Sequence, residues 1–491
     1  MKKKKIVLVS ALLPVSVREE KKSQYSVKVS PGGLITTLSQ SVENSKVIWL
    51  GWYGYPKYSK KIEEMVIKAG KEKGFNLLPI SLSFEEFENF FNNFSNGVIW
   101  PLFHTFSQYC RFEEEYWNYY VKVNEKFASK IISFLKENPD YVVWVHDYHF
   151  LILPEFVKAK IPDAKMYFFL HIPFPSFENF LKLPWRKKII DGLLGYDFIG
   201  FHTKVDKNNF IQCVNHFYDL KVNEKSYVSN IKISNKTIKV SALPISIDFE
   251  KYNQLAYDKE VLEITEVLKD RYKDKYLILS IDRIDYTKGL VEKLEGIKRF
   301  IEKYPEYRER FVMLVSTAPN IKKLPEYTQL EQLFHHKIAE INGTYGTEEW
   351  RPILFINKRL DFKELIAYYR VSDICFINSI KDGLNIVCKE YASSNVDLTG
   401  SIMLSEFAGA STEIGKYVYL VNPYDKENIA DTIKYIFEED KKIKSKKISN
   451  LRNHISQFNI HWWSDSFFRL AEGKKLDKYP ELLDFYPVHE Q

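Results

Sequence analysis

Sulfur is scarce in this chain: four cysteines and five methionines stand among 491 residues. Cys110, Cys213, Cys375 and Cys388 are far apart and share no Cys-x-x-Cys or Cys/His spacing. Neither a disulfide framework nor a structural zinc site is therefore expected. Each lies among apolar or mixed residues, which fits reduced, packed thiols in a cytoplasmic protein. Long apolar runs are missing too, and none approaches the roughly 18 uninterrupted apolar residues of a membrane span. Lys2–Lys5 followed by Ile6-Val-Leu-Val-Ser10 imitates a signal peptide. The continuation contains Arg18-Glu-Glu-Lys-Lys22 and no small-residue cleavage site, so the run reads as a first strand. A strong charge of one sign is also lacking. The net +7 comes with only short Lys-rich stretches, Met1–Lys5 and Lys441–Lys447, not the broad basic face that nucleic acid or a lipid surface requires. With 45% apolar and 27% charged residues and no low-complexity tract, the composition is globular. The expected partners are small-molecule substrates rather than nucleic acid or membrane, with homo-oligomerisation left open.

What is present is a dense alternation of short apolar runs and amphipathic helical stretches. The runs are Val47–Leu50, Gly97–Ile99, Tyr141–Val145, Lys165–Leu170, Phe198–Phe201, Leu277–Ile281, Phe311–Val315, Ile353–Phe355, Ile374–Ile377 and Ile402–Leu404. Such alternation predicts parallel sheets covered by helices on both faces. The length favours two cores. A break is expected near Leu243-Pro-Ile-Ser-Ile-Asp248, after a small hairpin at Ile231–Val240 and before the polar helical stretch Phe249–Lys275. The reading is two Rossmann-like doubly wound α/β domains, residues 1–245 and 246–455. Residues 456–491, carrying His461-Trp-Trp-Ser-Asp-Ser-Phe-Phe468, form a terminal helix packed back over the interdomain region.

Two segments carry most of the chemistry. Ile281-Asp-Arg-Ile-Asp-Tyr-Thr-Lys-Gly289 follows the buried run Tyr276–Ser280. This sets Arg283 and Lys288 in the loop at a strand's carboxyl end, where open α/β sheets bind ligands. A solvated pair, with Asp285 neutralising Arg283, is the plain alternative. The second segment, Lys381-Asp-Gly-Leu-Asn-Ile-Val-Cys-Lys-Glu390, reads as a turn opening a helix. Gly383 and Glu390 are seven residues apart in the chain, about 700° of helix, and so are expected on nearly one face. A helix start favours an anion, and Glu390 could accept hydrogen bonds from a sugar diol. Together these residues describe a site for a nucleotide-diphosphate sugar.

The first half offers less specific signals. Pro31-Gly-Gly-Leu34 precedes a helix at Ile35–Val42, which suits a diphosphate or a plain turn equally. His146, Asp147 and His149 follow a strand, and His171 caps the next. A metal site needs a third ligand that the sequence does not supply, so no metal is expected. Leu404-Ser-Glu-Phe-Ala-Gly-Ala410 reads as a second tight strand-to-helix loop. Trp100 fits a core position or a platform for a sugar ring.

With these residues assembled, the chain resembles the trehalose-6-phosphate synthase family of retaining glucosyltransferases, including its glucosylglycerol-phosphate synthase branch. The resemblance runs from about Ile6 to Trp463 through Gly-Gly-Leu (32–34), Trp-Pro-Leu-Phe-His (100–104), Trp-Val-His-Asp-Tyr-His (144–149), Leu-His-Ile-Pro-Phe-Pro (170–175), Arg-Ile-Asp-Tyr-Thr-Lys-Gly (283–289), Ile-Asn-Gly-Thr-Tyr-Gly (341–346), Asp-Gly-Leu-Asn-Ile-Val (382–387) and Ser-Glu-Phe-Ala-Gly-Ala (405–410). It implies a GT-B fold, two Rossmann-like domains with the active site in the cleft between them. It also implies transfer of glucose from a nucleotide sugar, commonly UDP-glucose, with no other cofactor and no essential metal. By the same resemblance Arg283 and Lys288 hold the donor diphosphate, Glu390 binds the ribose hydroxyls, and Gly383, Leu384, Asn385, Ile386 and Val387 face the phosphates and glucose. Asp382 and His171 contact the transferred glucose, Gly33 lies near the diphosphate, and Asp147 and Trp100 line the acceptor side.

The departures concern the acceptor. Where the family has Ser-Asn-Arg, with the arginine on the acceptor phosphate, this chain has Ser10-Ala11-Leu12. A tyrosine on that phosphate becomes Phe91, and a third arginine aligns with Lys322 or Lys323. The lost charge-assisted bonds are worth about 1.5–3 kcal/mol each, and lysine cannot chelate phosphate bidentately. Arg18 and Lys21-Lys22 are candidate substitutes. The donor reading stands, while glucose 6-phosphate, glycerol 3-phosphate and an unphosphorylated acceptor remain alternatives. A non-catalytic sugar-nucleotide-binding regulator is a further alternative, disfavoured by the presence of Arg283, Lys288, Asp382 and Glu390 together.

Overall fold

A computed structural model describes residues 4–21, 24–29, 33–41, 45–222, 227–318, 324–358 and 360–487. The chain divides into two compact units, Met1–Leu243 with Trp463–Tyr479, and Pro244–Trp462 with Pro480–Gln491.

In the first unit, Ile6-Val-Leu-Val9 is fully buried, as expected of a β-branched run covered on both faces. It lies in the strand Lys5–Leu12, inside an eight-stranded sheet. The spatial order is Leu77–Ile80, Lys46–Trp52, Lys5–Leu12, Val142–His146, Met166–Phe169, Phe198–Phe201, Lys236–Ala242 and Val228–Ile233. Neighbours are parallel except at the last pair, where the expected hairpin is antiparallel and forms the sheet's edge. A second hairpin, Val15–Lys21 with Gln24–Val29, gave no separate signal in the sequence. Chain order reverses between Lys5–Leu12 and Val142–His146, which makes the carboxyl end of that pair the ligand-binding end.

The expected strand at Gly97–Ile99 is absent. These residues end a twelve-residue π-helix, Glu88–Ile99, which runs straight into the helix Trp100–Phe103. A three-residue apolar run has no periodicity to separate a strand from a buried helix. Ser95 Oγ donates to Phe90 O at 2.7 Å and Asn96 Nδ2 to Phe91 O at 2.8 Å, so side chains brace the wide i→i+5 turn. Such turns gather at functional sites.

The terminal helix is Ile460–Ala471. From Trp463 onward it packs on the first unit's sheet: Trp463 is fully buried, donates from Nε1 to Leu243 O at 3.1 Å, and lies 5.5 Å from Trp144 and 5.0 Å from Phe169. The 456–491 segment is therefore not one body, because Trp463–Tyr479 falls to the first unit and Pro480–Gln491 to the second.

The second unit holds a six-stranded parallel sheet in the order Ile353–Ile356, Phe311–Ala318, Tyr276–Arg283, Ile374–Ile377, Ser401–Ser405, Tyr419–Val421. Its order reverses between Tyr276–Arg283 and Ile374–Ile377, so the loops leaving those two strands meet at the switch point. A buried cluster ties that region to neighbouring segments. Lys389 Nζ meets Glu413 Oε2 at 2.7 Å and Ile245 O at 3.0 Å, and Glu413 Oε1 meets His454 Nε2 at 3.0 Å.

Candidate active site

In the second unit, the two chemistry-bearing segments meet as expected. Tyr276–Arg283 ends at Arg283, and Asp285 caps the following turn by accepting from Thr287 N at 3.1 Å and Thr287 Oγ1 at 3.0 Å. Gly289 then starts the helix Leu290–Lys303 at φ 57°, and a Cβ there would come within 2.2 Å of Asn378 O. Only glycine fits this close approach, which draws the Lys288 loop onto the neighbouring strand. Lys288 Nζ consequently reaches Asp382 Oδ2 at 2.5 Å. The same oxygen accepts from Asn385 Nδ2 at 3.1 Å and Ser379 Oγ at 3.2 Å. Arg283 keeps 56% of its side chain accessible and lies 3.5 Å from Asp285 Oδ2. The plain and the functional readings of this pair thus coexist: Asp285 orients Arg283 without covering it.

The helix carrying Glu390 differs from expectation. It spans Val387–Ser394, and residues 382–386 are a non-helical loop, so Gly383 and Glu390 do not share a helical face. The cause is Asn385, whose φ of 77° interrupts any helix that would begin at Gly383. The loop is instead zipped to the 405–410 segment. Gly409 N donates to Asp382 O at 3.1 Å and Ala410 N to Leu384 O at 2.8 Å, and a Cβ at Gly409 would lie 1.9 Å from Gly383 O. The small residues of Ser405–Ala410 are therefore required by close backbone approach. The first-turn amides of Val387–Ser394 keep the donor capacity of a helix start.

Glu390 accepts from Tyr252 OH on Oε1 and from Tyr369 OH on Oε2, each at 3.0 Å. Burial raises its carboxyl above the usual range, and the two phenols oppose that shift. Neither tyrosine was legible as functional, since each sits in an apolar helical pattern far from the motif. A buried hydroxyl needs a partner, and that need is the only signal, visible once burial is known.

In the first unit, Asp147 follows Val142–His146 at φ 74°, a strained conformation for a non-glycine residue at a strand's carboxyl end. His171 follows the adjacent strand Met166–Phe169, and its Nε2 lies 3.0 Å from His146 Nδ1. His202 stands 5.4 Å from His171, ring to ring. Burial pushes His146 down to about 3. Burial first, then His146 and His202, lowers His171 well below the ordinary imidazole value, so both rings are neutral. Among the described residues His146 Nε2 is buried without a hydrogen-bond partner. An orphaned N–H is rarer than an orphaned lone pair, so His146 Nδ1 is assigned the hydrogen. His171 then accepts at Nε2 and presents Nδ1–H. Trp100 is 8% exposed and lies tilted against His104 at 4.1 Å, which makes it mostly core. Phe91 continues a stack from Trp52 through Phe87 to His149, with ring separations of 4.2, 5.0 and 5.0 Å. Gly33 opens the helix Gly33–Ser41. Lys322 and Lys323 lie outside the described residues. Among the described residues no three His, Cys, Asp or Glu side chains form a metal-holding group, and no helix is long and apolar enough to cross a membrane.

Comparison with known proteins identifies a glycosyltransferase family. The glycosyltransferase family 20 model matches residues 4–472. An alpha,alpha-trehalose-phosphate synthase [UDP-forming] of Pichia angusta is 35% identical over 482 residues, covering 96% of this chain and 99% of that protein. The corresponding synthase A of Dictyostelium discoideum is 35% identical over 95% of this chain, which spans 62% of that protein's length. A solved trehalose-6-phosphate structure from E. coli, bound with UDP-2-fluoro glucose, superposes with a TM-score of 0.83 at 26% identity, covering 97% of this chain and 99% of that one.

Proposed function

The chain belongs to glycosyltransferase family 20, and we propose that it transfers glucose from UDP-glucose to a sugar-phosphate acceptor with retention at the anomeric carbon, as a trehalose-6-phosphate synthase. Its fold is GT-B, with two Rossmann-like α/β units. The observation that carries the reading is the switch-point array of the second unit, where Arg283 at a strand's end, the Lys288–Asp382 pair on the loops and Glu390 on the following helix all lie beyond the carboxyl ends of adjacent strands.

On this reading Arg283 and Lys288 neutralise the departing diphosphate, where the largest charge develops. The bond between the glucose anomeric carbon and the diphosphate oxygen breaks, and its electron pair leaves with UDP. The acceptor hydroxyl attacks from the same face, and a phosphate oxygen of UDP takes its proton. No enzyme base is assigned, in contrast to the paired carboxylates of glycosidases. Asp382, held by three donors, and the Nδ1–H of neutral His171 contact the transferred glucose. Gly33 and the Gly383–Val387 backbone approach the phosphates, while Asp147, Trp100 and Lys322 belong to the acceptor side. The reading requires no metal. The unpaired cysteines fit a cytoplasmic location.

A second reading keeps the donor and changes the acceptor to glycerol 3-phosphate or an unphosphorylated polyol. It is favoured by uncharged Leu12, paired in register with Trp52, and by Phe91 within its aromatic stack. UDP release from UDP-glucose, measured in EDTA with glucose 6-phosphate, glycerol 3-phosphate, glucose and glycerol, separates them. Fastest release with glucose 6-phosphate is expected. Faster release with glycerol 3-phosphate or an unphosphorylated acceptor would replace the first reading with the second. Tight UDP binding without release would leave a regulator.

A further inference from the structure

Glu390 is set apart from the other carboxylates near the switch point by what touches it. Asp382 pairs with Lys288, Asp285 with Arg283, and Glu413 with Lys389. Among the described residues Glu390 meets no cation, and its hydrogen bonds come from two neutral phenols, one on each oxygen. A carboxylate offers about four lone-pair positions, so one on each oxygen remains. The phenols approach from two different helices, Phe249–Leu255 and Phe362–Val371, and are buried, at 6% and 0% exposure, while Glu390 itself stays partly accessible. Packing fixes both rings: Tyr252 is edge-on to Phe362 at 5.4 Å and Tyr369 edge-on to Tyr391 at 6.0 Å. Burial, then the adjacent carboxylate, raises both phenols, so they remain protonated donors.

This arrangement suits a neutral diol better than a cation. A salt-bridged carboxylate has its charge already answered by a cation, whereas one held by neutral phenols keeps its net charge for further hydroxyl donors. Occupation of one position on each oxygen leaves one acceptor position on each. We infer that Tyr252 and Tyr369 are positioning residues for ribose recognition. They hold Glu390 so that its two remaining acceptor positions, one on each oxygen, take the 2′- and 3′-hydroxyls of the donor nucleotide at once, and the site selects ribonucleotide over deoxyribonucleotide donors. The inference rests on the reading of the second unit as the nucleotide-sugar site.

The test compares dissociation constants of UDP and 2′-deoxy-UDP for wild type, Tyr252→Phe, Tyr369→Phe, the double variant and Glu390→Gln, with 3′-deoxy-UDP added for wild type. Wild type is expected to favour UDP by about tenfold or more, the scale of a hydrogen bond to a charged group. Each Phe variant should reduce that preference by about threefold and the double variant should nearly erase it. A merely structural role would weaken UDP and 2′-deoxy-UDP alike. Folded Phe variants with an unchanged preference would therefore overturn the inference. Should a variant fail to fold, wild type alone decides: two-point holding predicts that 2′- and 3′-deoxy-UDP lose affinity comparably, and a loss at one position only contradicts it. Wild type that ignores both hydroxyls, with Glu390→Gln equally silent, would overturn the inference through the nucleotide-site reading beneath it.

Discussion

The two units present opposite electrostatic solutions at their switch-point ends. In the second, charges are answered within the protein, Lys288 by Asp382 and Arg283 by Asp285, and the loops are locked by Gly289 and Gly409. In the first, His146 and His171 lie buried and neutral against one another, and Phe91 stacks on His149. Paired charges suit a multiply charged ligand, because a ligand phosphate takes the place of a carboxylate already in position. Neutral rings suit hydroxyl groups and sugar faces. On the proposed function, the contrast assigns the anionic leaving group to the second unit and the sugar ring of the acceptor to the first.

The contrast can be broken most severely at Arg283. Arg283→Ala is expected to lower kcat/KM by about 10³-fold for every acceptor, and a loss of only a few-fold in UDP release would sink the diphosphate role. Next is the buried Lys389–Glu413–His454 cluster behind the donor helix. Glu413→Leu leaves Lys389 uncompensated and should cost about 3–5 kcal/mol in urea unfolding. Burial raises the Glu413 carboxyl, but Lys389 and His454 outweigh it, and the net shift is downward. Its stabilisation is therefore present above the ordinary glutamate value and is lost as pH falls through the lowered folded value. In the first unit the imidazoles give the same sign in a different window. His146 charges at about 6.5 when unfolded and at about 3 when folded. The unfolded chain binds the extra proton between those values, so stability falls as pH drops below about 6.5, by about 1.4 kcal/mol per pH unit for each such ring. His146→Gln should flatten that slope, and an unaltered slope in pH-dependent denaturation would contradict the burial argument. The smallest effect is expected for Phe91→Tyr, which adds a hydroxyl worth about 1 kcal/mol. It should lower KM for a phosphorylated acceptor by about fivefold and leave that for glycerol unchanged, whereas equal changes in both would detach Phe91 from the acceptor phosphate.

What was legible in the sequence follows from the range of the interactions involved. Strands such as Lys5–Leu12, Met166–Phe169 and Tyr276–Arg283 are written in continuous apolar runs, and the positions of Arg283 and Lys288 at the end of one and of His171 beyond another follow directly from them. Gly97–Ile99 misled because three apolar residues carry no period, and the π-helix depends on bonds from Ser95 and Asn96 to carbonyls five residues back. The helix start misled because Asn385 takes a positive φ that a helical pattern does not announce. Tyr252 and Tyr369 stayed hidden because their partner Glu390 lies 138 and 21 residues away in the chain.

The central claim, that the second unit holds the nucleotide while the first holds the sugar acceptor, is tested most directly by titrating UDP alone into wild type, Lys288→Ala and Asp147→Asn. The account predicts UDP affinity about tenfold or more weaker in Lys288→Ala, from the lost charge-assisted contact, and near wild type in Asp147→Asn. Unchanged affinity in Lys288→Ala, or an equal loss in Asp147→Asn, would contradict it.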